Sequence, residues 1–111
     1  MDKLAKYRKI VKRIVDHYGQ FQASVGDIQT YAICNEKTDN YLLLDVGWQP
    51  NGRRQHAMPL HIRIKDSKVW LEWDGTDQEI AQQLIDAGIA EDDIIFPSFE
   101  DSVPENVKLA A

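Results

Sequence analysis

The side chains that could perform acid–base, metal or nucleophilic chemistry are few and scattered. The chain has three histidines, His17, His56 and His61, and one cysteine, Cys34. His56 and His61 are five residues apart, and an odd separation in a regular strand places two side chains on opposite faces. A shared metal would therefore need a bulge between them. Cys34 lies in a strand pattern and is expected to be a small buried hydrophobic side chain. We predict no catalytic residue, no metal site and no cofactor.

Sequence motifs of the common enzyme classes are also missing. The 111 residues contain no glycine-rich phosphate loop, no GxSxG, no HExxH and no cysteine pair for zinc. The acidic residues between Asp74 and Val107 lack the spacing of a calcium loop and indicate a solvated acidic surface. A small enzyme or ligand-binding protein using His61 and Asp74 is an alternative that no convergent set of residues supports.

The charge is divided unevenly along the chain. Residues 1–18 hold six basic and two acidic side chains, whereas residues 19–111 hold seven basic and sixteen acidic ones, and the net charge is −5. A net negative charge argues against bulk electrostatic binding to nucleic acid or to an anionic membrane. A local DNA contact stays an alternative, and an acidic protein partner is another. The candidate phosphate contacts are Lys6, Lys9, Lys12 and Arg13.

The elements that must position these residues follow from hydrophobic periodicity. Apolar residues at steps of three and four predict a basic amphipathic helix over 1–18. Alternating patterns then predict an antiparallel sheet over 27–74, built as a meander of four strands, with Pro59 marking a bulge or a sheet edge. Thr76 and Glu79 match a capping box that opens a second helix over 77–88, which Gly88 ends. Residues 97–111 are predicted to form an extended tail.

The predicted fold class is α+β, with a single domain over 1–111. An N-terminal helix and a second helix pack on the same face of the four-stranded antiparallel meander, and an extended C-terminal tail follows. Alternation predicts that the face under the helices includes Leu42, Leu44, Val46, Trp48, Leu60, Ile62, Ile64, Val69, Leu71 and Trp73.

The opposite sheet face is predicted to be unusually apolar for a solvated surface. It would carry Tyr31, Ile33, Tyr41, Leu43, His61 and Trp70, mixed with charged side chains. Either the tail or a loop covers this face, or it is an interface with a partner or with a second copy of the chain, as a homodimer. The candidate partner-binding residues are Tyr31, Ile33, Leu43, His61 and Trp70.

No stretch of the sequence resembles a signal peptide or a membrane span. Charged residues interrupt every apolar run near the N-terminus, and the longest strictly apolar runs have three residues, against about 20 for a spanning helix. We therefore expect no membrane contact and a cytoplasmic location.

Several segments together resemble the XisI family, small cyanobacterial proteins named as fdxN element excision controlling factors. The segments are LAKYR at 4–8, VGW at 46–48, HIRIKDSKVWLEWDGT at 61–76, IA at 80–81, LIDAG at 84–88 and EDDI at 91–94. Ser67 stands where the family's turn commonly has glycine.

The resemblance implies a non-enzymatic accessory protein that controls site-specific excision of a DNA element in a complex with an XisH-like protein. The alternatives are an excision factor that binds DNA directly through the basic helix, and an antitoxin-like inhibitor of a nuclease-like partner.

Overall fold

The computed structural model describes residues 2–20 and 27–97, and the architecture below refers to these residues. The predicted tail over 97–111 lies outside them, apart from Pro97. The elements are, in order, α1 (Lys3–Gly19), β1 (Asp27–Asn35), β2 (Asn40–Trp48), β3 (Arg54–Lys65), β4 (Lys68–Asp74), α2 (Ile80–Ala87), a 3-10 turn (Glu91–Asp93) and β5 (Ile94–Ile95).

The sheet has the spatial order β1-β2-β3-β4-β5. The first four strands form the predicted antiparallel meander, and the α+β class is confirmed. The structure adds β5, which pairs in parallel with β4 through Val69 and Ile94. The sequence pattern does not predict this strand because two residues are too few to show a period.

Helix α1 begins where Asp2 caps it, since the Asp2 carboxylate accepts a hydrogen bond of 3.1 Å from the Leu4 backbone N–H. Its apolar stripe is buried against β1 and β2. At its end the helix lies so close to β1 that a Cβ on Gly19 would be 2.5 Å from the Cβ of Ala32. Glycine therefore permits this close packing of helix on strand. The buried residues of α1 are Tyr7, Ile10, Val11, Ile14 and Val15.

The capping box predicted at Thr76 and Glu79 is wrong. Thr76 donates from its backbone N–H and its hydroxyl to the Asp74 carboxylate, at 2.9 and 2.6 Å, so this carboxylate organises the turn. Glu79 has φ 52° and its side chain makes no capping hydrogen bond. Helix α2 consequently covers Ile80–Ala87 and not 77–88. It ends as predicted at Gly88, which has φ 121°.

Two irregularities in the ladders decide which side chains share a face. Between β2 and β3, Leu43 lies opposite Leu60 but Asp45 lies opposite Ala57. Met58 and Pro59 of β3 therefore lie together opposite the single residue Leu44 of β2. The bulge predicted at Pro59 is confirmed. Between β3 and β4, His61 lies opposite Trp73 but Ile62 lies opposite Leu71, which places the extra residue on β4.

The core lies between the helices and one face of the sheet. Both helices contribute to it, and the Gln83 amide of α2 donates a 2.6 Å hydrogen bond to the Tyr18 hydroxyl of α1. The buried residues outside α1 are Tyr41, Leu43, Leu60, Ile62, Ile64, Val69, Leu71, Ile80, Leu84, Ile89 and Ile94. The predicted packing of both helices on the same face is confirmed.

An ion pair ties α1 to the turn between β1 and β2. The Arg8 guanidinium donates to both carboxylate oxygens of Asp39, at 2.8 and 2.9 Å, and the Tyr41 hydroxyl also donates to this carboxylate at 3.0 Å. The hydrogen bonds from Arg8 hold the pKa of Asp39 below its ordinary value. The Lys3 ammonium and the Tyr7 hydroxyl likewise donate to the Asp93 carboxylate, which lowers the pKa of Asp93.

These ion pairs predict acid sensitivity. An unfolded aspartate has a pKa of about 3.9, so the stability that the Arg8–Asp39 pair contributes is complete above about pH 4 and is lost as the pH falls through the lower folded pKa. We expect Asp39→Asn to lower the free energy of unfolding at pH 7 and to flatten its dependence on pH below 4. Asparagine tolerates the positive φ of 55° at this position. Urea unfolding followed by circular dichroism between pH 7 and 2.5 checks this, and parallel pH profiles for the two proteins would contradict it.

Candidate functional site

The sheet face opposite the helices, called the outer face below, carries a broad apolar surface. One row crosses four strands, in which Ile33, Leu42, His61 and Trp73 lie opposite one another in turn. Several of its large side chains are strongly exposed, with Trp73 at 60%, Trp48 at 51%, Tyr31 at 48% and Ile33 at 42%. The apolar and aromatic residues of the outer face, together with His61, are Tyr31, Ile33, Leu42, Leu44, Val46, Trp48, Trp70 and Trp73.

The prediction of which residues of β2 face the core is wrong by one residue. Tyr41 and Leu43 are buried in the core, where they lie opposite Ile62 and Leu60. Leu43 is therefore not a partner-binding residue. Its neighbours Leu42 and Leu44, predicted to be in the core, lie on the outer face, and so do Val46 and Trp48. Because residues 42–44 are all leucine, alternation within this segment leaves the phase of the strand open.

Trp73 was also predicted on the core face, and this is wrong for a different reason. The bulge in β4 adds a residue between Leu71 and Trp73, so Leu71 is buried while Trp73 lies beside His61 on the outer face. Sequence reasoning thus missed the most exposed tryptophan of the candidate surface. Of the five candidate residues, Tyr31, Ile33, His61 and Trp70 do lie on this face.

Basic side chains stack on the tryptophans near the ends of the outer face. The Arg54 guanidinium lies 5.0 Å from the ring centre of Trp48, and the Lys65 ammonium lies 5.7 Å from that of Trp70. The Trp70 indole N–H also donates to the Lys65 carbonyl at 3.1 Å. The surface thus combines exposed aromatic rings with a basic rim, a composition typical of protein interfaces.

The histidines do not form a metal site within the described chain. The bulge at Pro59 brings His56 and His61 to the same face, but they lie opposite Val46 and Leu42, four residues apart on β2, or roughly 13 Å. His61 is hydrogen bonded to Asn40 at 2.9 Å, and burial lowers its pKa. Over residues 2–20 and 27–97, no three side chains of His, Cys, Asp or Glu converge on a common point.

Cys34 is poorly suited to act as a nucleophile. It faces α1, with its sulfur 3.8 Å from the Asp16 carboxylate. Burial, together with this negative charge, raises the thiol pKa to about 11. The thiol is therefore protonated at neutral pH, whereas nucleophilic cysteines need the thiolate.

The basic face of α1 carries less free charge than the sequence indicates. Lys12 forms an ion pair of 2.8 Å with Asp16, one helical turn away. Lys9, Lys12 and Arg13 line a concavity on this side of the helix, together with the acidic Asp16 and Glu36. Lys6 points to the other side, with its side chain against Gly88. Among the candidate phosphate contacts, Lys6, Lys9 and Arg13 have no ion pair with any residue in the described parts of the chain.

None of the helices that the structure describes is long and apolar enough to cross a membrane.

These features define a class of protein: a small α+β protein whose two helices cover one face of an antiparallel sheet while the other face exposes aromatic side chains. The chain belongs to the XisI family, since the family model described as XisI protein matches residues 1–108. The predicted resemblance is confirmed.

Two solved structures have the same fold. A XisI-like protein from Anabaena variabilis ATCC 29413 is 32% identical, with a TM-score of 0.76 over 83% of this chain and 84% of that chain. The fdxN element excision controlling factor XisI from the same organism is 34% identical, with a TM-score of 0.70 over 85% of each chain. A comparison with curated proteins gave no match.

Proposed function

We propose that this protein controls site-specific excision of a DNA element by binding a protein partner, and that it catalyses no reaction itself. Family membership and the likeness to a structure described as an excision controlling factor support the role in excision. The observation that carries the binding mode is the outer face, with three tryptophans on one side of a small sheet. A surface of this kind is stabilised when a partner removes it from water.

The magnitudes favour a protein over a polyanion. Full burial of an aromatic side chain removes about 150–250 Å² from water, so covering the exposed half of one removes about 75–125 Å², worth about 2–3 kcal/mol before the costs of association are subtracted. Trp73 and Trp48, each more than half exposed, are therefore strong anchors. Against this, α1 offers few free cations, and residues 19–111 carry nine more acidic than basic side chains.

The partner that the family resemblance implies is an XisH-like protein. The basic side chains at the rim, Arg54 and Lys65, complement a partner surface whose apolar centre is bordered by acidic groups. An antitoxin-like role, in which this chain blocks a nuclease-like partner, is a variant of the same binding mode. Growth arrest on expression of the partner alone, relieved by this chain, would distinguish it.

The proposal is tested by measuring binding to a purified XisH-like protein. We expect a complex on co-expression, and we expect Trp73→Ala to weaken it by about 2 kcal/mol, or roughly thirtyfold, because tryptophan is enriched among interface hot spots and Trp73 is the most exposed tryptophan of this face. The matched control is Lys9→Ala on the polar face of α1, which should bind like the wild type.

Two outcomes would contradict the proposal. One is recovery of the two proteins as separate species at micromolar concentration. The other is weaker binding by the Lys9 variant with no effect at Trp73, which would move the interface to the helix. Circular dichroism of both variants shows whether they fold.

Direct DNA binding is the second candidate, favoured by the exposed Lys6, Lys9 and Arg13 on one helix. If these three side chains met phosphates, the logarithm of affinity would fall with the logarithm of salt concentration with a slope of about −2.7. Titration of element-end DNA and random DNA at several salt concentrations measures this slope. Under the protein-partner proposal, neither DNA binds appreciably and no such slope is seen.

A further inference from the structure

The two edges of the sheet are very different. The edge formed by β5 has only two residues and is followed by Pro97, both of which discourage further pairing. The edge formed by β1 has nine residues, Asp27–Asn35, without lysine, arginine or proline, and its register with β2 is regular throughout. No strand among residues 2–20 and 27–97 pairs with its outer side. As far as residues 2–20 and 27–97 are concerned, this edge therefore lacks the usual protections against pairing with another strand.

The hydrogen bonds elsewhere in the sheet show which backbone groups of β1 point outward. The Ile64 N–H donates to the Asp39 carbonyl, and this hydrogen bond lies next to the pair Asn40–Arg63. The Gln49 N–H donates to the Arg53 carbonyl, next to the pair Trp48–Arg54. These pairs are therefore not hydrogen bonded to each other, and the even-numbered residues of β2 direct their N–H and C=O groups toward β1.

The odd-numbered residues of β1 exchange backbone hydrogen bonds with the even-numbered residues of β2, because they lie directly opposite them. The N–H and C=O groups of its even-numbered residues must then point away from the sheet. The outward-pointing residues are Ile28, Thr30, Ala32 and Cys34.

We propose that a second copy of this chain pairs antiparallel with β1 about a twofold axis through Tyr31. This register places Ile28 opposite Cys34 of the second copy and Thr30 opposite Ala32 of the second copy. All four outward residues of each strand are then paired, which forms eight backbone hydrogen bonds. Moving the axis by one residue, to Thr30 or Ala32, leaves an outward residue of each strand without a partner. The register at Tyr31 is therefore the one that satisfies the whole edge.

Side chains and charges are compatible with this pairing. On the outer face the two Tyr31 rings meet at the axis, and Gln29 lies opposite Ile33 of the second copy. The only charged residue of β1, Asp27, lies opposite Asn35 of the second copy, so no like charges meet. On the helix side of the sheet, Arg8 and Lys12 of α1 are paired with Asp39 and Asp16 of the same chain, while Lys9 and Arg13 keep a free charge within the described part of the chain. The dimer joins two five-stranded sheets into one, independently of the proposed role in excision.

A cysteine at the axis tests the register. Residues of a pair that is not hydrogen bonded have Cα atoms about 4.5 Å apart, within the range of a disulfide. In a Cys34→Ala background we expect Tyr31→Cys to form a disulfide-linked dimer on mild oxidation. Ile33→Cys is the matched control on the same face, because the two copies of residue 33 would be about 13 Å apart along the strands. Cross-linking of both variants, or of neither, would overturn the proposal.

Sedimentation of the reduced protein supplies the second measurement. The wild type should sediment as twice 12.8 kDa, Tyr31→Phe should do the same, and Tyr31→Lys should sediment as a monomer because it places two cations together at the axis. Trp73→Ala should leave the dimer intact while weakening the binding of the XisH-like protein. The two proposals can therefore fail separately. A monomeric wild type, or a dimer lost in Trp73→Ala but kept in Tyr31→Lys, would overturn the edge dimer.

Discussion

Leu43→Ala is expected to lower the free energy of unfolding by about 3 kcal/mol. Leu43 is only 3% exposed and lies opposite Leu60, which is completely buried, at the centre of the core. Truncation to alanine removes buried methyl groups and leaves a cavity that the surrounding helices and strands cannot fill without moving. Urea unfolding monitored by tryptophan fluorescence and circular dichroism gives the difference.

Leu44→Ala is the matched control, since it removes the same atoms one residue along the same strand. Leu44 lies on the outer face opposite Tyr31 and is only partly buried. We expect a loss below about 1 kcal/mol, because water already reaches part of this side chain. Equal losses for the two leucines, or a larger loss at Leu44, would show that the assignment of the β2 faces is wrong.

Gly47→Ala is expected to destabilise the protein by about 3 kcal/mol, through the backbone and not through a cavity. A Cβ at this position would lie 1.9 Å from the carbonyl oxygen of Asp27 and 2.7 Å from the Cα of Ile28. The residue also has φ 152°, which side chains rarely adopt. Alanine therefore forces β1 and β2 apart at the end of the hairpin farthest from its turn.

Gly52→Ala separates the two contributions to this effect. Gly52 also has a positive φ, 85°, but a Cβ there would meet no atom within 4 Å. It should cost only about 1 kcal/mol, the conformational penalty by itself. Thermal unfolding of both variants checks the difference, and a Gly47 variant as stable as the Gly52 variant would mean that the strands separate there without strain.

Much of the fold follows from local sequence. The heptad-like spacing from Leu4 to Tyr18 determines α1, because one helical stripe must face the core. The meander follows from alternating segments separated by short polar turns, and Pro59 marks its bulge because proline cannot donate to the ladder. These features depend on residues close together in sequence, for which steric and hydrogen-bonding rules apply directly.

The start of α2 shows where local rules compete. Thr76 and Glu79 have the spacing of a capping box, yet the Thr76 hydroxyl donates to Asp74, two residues earlier. Both arrangements satisfy the same side chain, and the left-handed conformation of Glu79, with φ 52°, places the start of the helix at Ile80. The sequence contains the residues for both arrangements, the capping box with Glu79 and the turn with Asp74. Local rules do not say which of the two forms.

The candidate site was only partly predictable, for the same reason. An apolar second face could be expected, and Tyr31, Ile33, His61 and Trp70 lie on it. Leu43 does not, and Leu42, Leu44, Trp48 and Trp73 do. Each error follows from the phase of a strand, since one residue of slip or one bulge exchanges the two faces.

The sequence by itself therefore determined the two helices and the first four strands, their order, the uneven charge along the chain and the family. Only the tertiary structure decided which leucines of β2 are buried, which tryptophans face outward, which lysines keep a free charge and which edge of the sheet lacks a partner strand in the described chain. Pairing between distant strands sets these features, and the free energy that selects the pairing comes from burying Tyr41, Leu43, Leu60 and Ile62 together beneath two helices.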